Sequence, residues 1–161
     1  GSAQKKISLS ITKELAKELE EKYGYKDSLY KHVSYDLWEM NEGIHLYSLA
    51  SICAAFNSMT NIYDVIYESY KNNRIKQEKI EKVKAEIEKY NVEIKKYILN
   101  NLYDDNKKVL KRNTLDENSD ISILGIVTPF EIFSPSEKKV QNTVNKIEMT
   151  LRTFSRRLLK I

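Results

Sequence analysis

The chain has 161 residues, 27 Lys+Arg against 23 Asp+Glu, and a formal net charge of +4. With only 4 Gly and 2 Pro, sharp turns are scarce and long helices are the natural way to fill this length. One Cys rules out an intrachain disulfide, two His without partners at ligand spacing predict no metal site, and no Gly-rich phosphate loop points to a nucleotide cofactor.

Residues 71–112 hold 13 basic and 7 acidic residues, but the basic ones alternate with Glu81, Glu86, Glu88 and Glu93. That mixture reads as a solvated helix face, with nucleic acid not expected as a partner. The longest nearly uncharged run, 43–60, is interrupted by His45, Ser48, Ser51, Asn57 and Ser58. It is too short and too polar for a membrane span. Gly1-Ser2 reads as an expression scar, and no signal-peptide pattern follows it. With the lone cysteine, this makes a cytoplasmic location the expectation.

The first expected helix covers 11–22, where Ile11, Leu15 and Leu19 recur every four residues and Gly24 follows as a stop. Residues 25–41 show no period and read as loop or short turns. A second helix is expected over 43–59. It holds no Lys, Arg, Asp or Glu, and its apolar residues cover most of the circumference. Such a helix belongs inside an array of helices, which predicts burial of Ile44, Tyr47, Ile52, Phe56 and Met59. Cys53 falls in this run and reads as a small core residue. His45 reads as a helix-start residue.

Thr60 is placed to cap a third helix through Tyr70. Residues 74–102 form a long fourth helix, with Ile80, Val83, Ile87, Tyr90, Ile94 and Tyr97 spaced by threes and fours. The seam suits an outer helix lying on an inner one; a coiled coil is the alternative. Residues 104–128 read as a connection. Ser134-Pro135-Ser136-Glu137 is a helix start with a capping box, and Val140, Val144, Ile147, Leu151, Phe154 and Leu158 line one face of the last helix. The alternation of helix and connection predicts an all-α fold of stacked helical hairpins.

One peptide stands out chemically. Tyr35, Asp36, Trp38 and Glu39 set two carboxylates beside aromatic surface. Glycoside hydrolysis needs an acid to protonate the leaving oxygen and a second carboxylate across the sugar ring. Paired carboxylates and a neighbouring Trp both favour a protonated acid near neutral pH. Loop aromatics also commonly anchor a loop to the core, so this cluster alone decides nothing.

The longer peptide Ser34-Tyr35-Asp36-Leu37-Trp38-Glu39-Met40-Asn41-Glu42-Gly43-Ile44-His45-Leu46-Tyr47 resembles the acid-bearing segment of the glucoamylase family of glycoside hydrolases, family 15. That family has Tyr-Asp-Leu-Trp-Glu-Glu, two residues and a Gly before an inner helix. A second resemblance covers Asp120-Ile121-Ser122-Ile123-Leu124-Gly125 with Pro129-Phe130, and Thr143, Ile147 and Leu151 follow in order. Together the matches span roughly 15–154.

The resemblance implies that Glu39 is the general acid and that Asp36 supports it or acts as base. Tyr35 and Trp38 would line the subsite of the terminal glucose, and the Leu37 carbonyl would accept a sugar hydroxyl. Arg112 is the candidate for the family's sugar-binding Arg. Met40 replaces the family's second Glu, which binds sugar in the leaving-group subsite. Residues 1–161 would be a piece, or a truncated relative, of an (α/α)6 toroid of six hairpins. Its parent would be an inverting hydrolase releasing glucose from α-linked oligosaccharides or polysaccharides without a cofactor. No segment resembles the family's catalytic base, so these residues alone are expected to be inactive. They would associate with themselves or with the remainder of the domain. Trehalase activity within the family, or a non-catalytic helical module for oligomerisation, are the alternatives.

Overall fold

The computed structural model describes residues 33–36 and 40–158, without the side chains of 156–158. The expected helix over 11–22 and the residues Leu37, Trp38 and Glu39 lie outside the described residues. The fold is all-α, as the pattern predicts. Its long helices are α1 (Leu46–Ser69), α2 (Arg74–Asn101) and α3 (Lys138–Leu158), joined by a 3-10 helix (Ile121–Ile126) and two pairs of two-residue strands.

One expectation is corrected at once. Helix α1 runs unbroken for 24 residues through the boundary expected between Met59 and Thr60. Thr60 does not cap a new helix: its hydroxyl donates to the Phe56 carbonyl at 3.1 Å. This back-bond satisfies a hydroxyl inside a helix and lets the helix continue. Burial of the chargeless stretch is also one-sided. Ile44, Leu46, Leu49, Ala50 and Cys53 are buried, Tyr47, Ile52 and Phe56 are half-buried, and Met59 is exposed.

A tight turn follows α1, and Asn73 caps α2 by accepting from the Lys76 amide at 3.1 Å. The two helices form an antiparallel hairpin. Lys84 pairs with Asp64, Asn91 Nδ2 donates to Asn57 Oδ1 at 2.7 Å, and the Phe56 and Tyr90 rings lie 6.5 Å apart. Ile87 and Ile94 lie four before and three after Asn91, so they share the face that meets α1. With Ile80 and Ile98 they are the buried residues of α2, which makes α2 one partner of a helical hairpin and not a free-standing coil. Tyr90 in the expected seam is half exposed.

The strands shape the ends of the hairpin. In the first pair β1 (Ser34–Tyr35) runs antiparallel to β2 (Glu42–Gly43), so the expected loop over 25–41 contains a strand. In the second, β3 (Tyr103–Asp104) pairs with β4 (Val109–Leu110), and Asp104 closes their turn by accepting from the Asn106 and Lys107 amides. Thr143 of α3 is buried and fastens β4: its hydroxyl accepts from the Leu110 amide at 2.9 Å and donates to the Lys139 carbonyl at 2.7 Å. Before α3, Glu137 accepts from the Ser134 amide at 2.8 Å, one half of the expected capping box, in a turn just ahead of the helix. Val140 and Ile147 are buried as expected, whereas Val144, Leu151 and Phe154 are exposed. Among the described residues no helix is long and apolar enough to cross a membrane.

Candidate active site

The segment that resembles the acid-bearing peptide is held by its own hairpin. The Asp36 amide donates to the Asn41 carbonyl at 3.0 Å. The Asp36 carboxylate accepts from the Met40 amide on Oδ1 at 3.0 Å and from Asn41 Nδ2 on Oδ2 at 2.5 Å. Asp36 thus ties together the two ends of the segment containing 37–39. Tyr35 and Glu42 are cross-strand partners. A hydrogen bond to Glu42, together with its charge, pushes the exposed Tyr35 hydroxyl above its ordinary value. Met40 is exposed.

Gly43 then turns the chain into α1. Its φ of +151° is one that residues with a side chain rarely adopt, and a Cβ there would lie 2.9 Å from Asn113 Cγ. The close approach lets His45 pair with Asn113 in a β-bridge and lets Ile44 donate to Thr114 Oγ1 at 3.2 Å. His45 is buried at the N-cap of α1, where its Nε2 donates to the Ser34 carbonyl at 3.0 Å. It serves as the helix-start residue the sequence suggests.

Residues 111–120 form the opposite wall. Arg112 accepts from the Leu46 amide on its carbonyl at 2.9 Å, which seats it at the start of α1. Its guanidinium contacts Asp116, lies 3.6 Å from Asp120 Oδ2, and donates to Asn41 Oδ1 at 3.1 Å. Burial disfavours charge on this guanidinium, but Asp116 and Asp120 outweigh it and hold its pKa above the ordinary value. Asp120 also caps the 3-10 helix, its Oδ1 accepting from the Ser122 amide at 2.9 Å. On the far side Tyr47 packs edge-on against Phe130 with ring centroids 4.9 Å apart, and Gly125 leaves the space for its ring.

Asp36, His45, Tyr47, Ser48, Arg112, Asp120 and Ser122 therefore line one cleft. Its volume is about 20 Å³, room for a single water among the described residues. Of the residues singled out in the sequence, Asp36 lines this cleft, and Tyr35 lies one residue before it on β1. Leu37, Trp38 and Glu39 lie outside the described residues. Sequence reasoning missed Asn41, Asn113 and Thr114. Nothing in a single Asn or Thr marks it as a contact made across some 70 residues of chain.

The sequence profile of glycosyl hydrolases family 15 matches residues 3–156. The chain belongs to this family. Comparison with curated proteins and with solved structures finds no match. The family match covers both quoted segments, which meet at the cleft. It makes the chain part of a glycoside hydrolase, with carbohydrate as the class of substrate.

Proposed function

We propose that this chain carries the acid-bearing part of an inverting α-glucoside hydrolase of glucoamylase type, acting on α-linked glucose oligosaccharides or polysaccharides. The observation that carries the reading is the convergence of the two family-like segments. Asp36, His45 and Tyr47 from the first line a cleft with Asp120 and Ser122 from the second. In this reading Glu39 protonates the leaving oxygen, Tyr35 and Trp38 hold the terminal glucose, and the Leu37 carbonyl accepts a sugar hydroxyl. Asp36 supports the acid. Both of its oxygens already accept hydrogen bonds that shape the segment, which favours support over proton abstraction. The base and the remaining hairpins of an (α/α)6 toroid come from outside these residues. Alone, the chain is inactive and self-associates through the apolar side chains that α1 and α3 leave exposed, among them Ile62, Val65, Leu151 and Phe154.

The test is Glu39→Gln in the full-length enzyme, assayed on maltose and trehalose. Loss of a proton donor should lower kcat by roughly 10²–10⁴-fold with folding intact. Wild-type turnover would remove Glu39 as the acid, and preference for trehalose would replace the glucoamylase assignment. Sedimentation of the 161-residue chain as a monomer would refute self-association.

A further inference from the structure

We propose that Arg112 and Asn41 form a brace that holds Asp36 and Met40, the residues flanking 37–39, and that both are positioning residues for the acid. The inference rests on the role given to Glu39 above. Asn41 works in two directions. Its Oδ1 accepts from Arg112 Nη2 at 3.1 Å, while its Nδ2 donates to Asp36 Oδ2 at 2.5 Å. A side-chain amide supplies an acceptor and a donor together, which a carboxylate or an aliphatic group cannot. The Asn41 carbonyl also accepts from the Asp36 amide. With the bond from the Met40 amide, the two residues after 37–39 are tied to Asp36, the residue before it.

Arg112 connects this closed segment to the rest of the fold. Its Nη2 reaches Asn41 and Asp116, and its Nη1 faces Asp120 at 3.6 Å. Its backbone is pinned on both sides, the amide donating to the Asn118 carbonyl at 2.9 Å and the carbonyl accepting from Leu46. A planar fork can span three acceptors at once, whereas a lysine ammonium offers one point. Both terminal nitrogens of Arg112 are directed at protein groups, while its buried Nε has no protein partner among the described residues.

Trp38 is the sole tryptophan of the chain, so its emission reports on this segment alone. The experiment measures acrylamide quenching of Trp38 in the wild type, Asn41→Ala, Asn41→Asp and Arg112→Lys, with far-UV circular dichroism of the same samples. Asn41→Asp keeps the size and the acceptor for Arg112, and it loses the donor to Asp36. Quenching should differ from wild type in each variant while helix content stays constant. In the full-length enzyme Asn41→Asp and Arg112→Lys should lower kcat by roughly 10–100-fold, the cost of a misplaced reacting group. KM should stay near wild type, and the acid-dependent limb of the pH profile should move. Unchanged quenching in variants with wild-type helix content overturns the brace, whatever the activity. Altered quenching with unchanged kcat and pH profile keeps the brace but removes Glu39 as the acid it serves.

Discussion

Removing the hydroxyl of Thr143 probes how the wall that carries Arg112 is held. Thr143 is 1% exposed and its Oγ1 accepts from the Leu110 amide at 2.9 Å, two residues before Arg112. Thr143→Val keeps the shape and leaves that amide without this acceptor where water does not reach. A buried donor stripped of its partner costs about 1–3 kcal/mol. Thr143→Ser keeps the hydroxyl and loses one methyl, worth about 0.8 kcal/mol. Thr143→Ala loses both and should cost about 2–4 kcal/mol. Urea denaturation should rank the variants Ser, Val, Ala in increasing damage, with the slope against denaturant unchanged. A Val variant as stable as wild type would show that the Leu110 amide finds another partner and that the hydroxyl does not anchor β4.

Gly43→Ala should lower stability by about 1–3 kcal/mol from its backbone conformation alone, and more because Asn113 must move; an unchanged denaturation midpoint would refute this. At acidic pH the Asp116 carboxyl matters. Burial raises its pKa, but the Asn118 amide and the Arg112 guanidinium outweigh this and hold it below the ordinary 3.8. A depressed carboxylate adds stability above its unfolded value and loses it as pH falls through the folded value. Thermal unfolding of Asp116→Asn should therefore fall less steeply than wild type below about pH 4, and parallel curves would contradict the linkage. Burial pushes the Cys53 thiol up to about 11, so iodoacetamide near pH 8 should label it only after unfolding. Free-thiol rates of labelling in the folded chain would show that α1 opens.

Local chemistry was legible where it decided local structure. The isoleucine spacing of α2 gave its limits to within a residue, and the capping signal at Ser134 fell just ahead of α3. Thr60 misled because a threonine hydroxyl serves equally as a cap or as a back-bonding group inside a helix, and only the neighbouring backbone decides. The absence of charge over 43–59 signalled burial, yet among the described residues it is met on one face only. The 3-10 helix and the strand pairs carry no period, being held by single bonds such as Ser122 to Asp120. At the site the peptide 34–47 was legible through its resemblance to a family segment, since its aromatic and acidic residues alone decided nothing. Asn41 did not, because its importance lies in a bond to a residue 71 positions away.

That separation bears on the order in which the molecule assembles. The α1–α2 hairpin closes through pairs such as Asp64 with Lys84, only 20 residues apart. Its turn and helices can form on local contacts, which reward chain closure early. The cleft instead needs Ile44 to find Thr114 across 70 residues, with the whole hairpin lying between them. Chain entropy makes such an encounter later and rarer. A nascent or partly folded chain would thus hold its paired helices while the walls around Arg112 remain apart, and amide exchange at Ile44 and Leu46 would outpace exchange at the centre of α2.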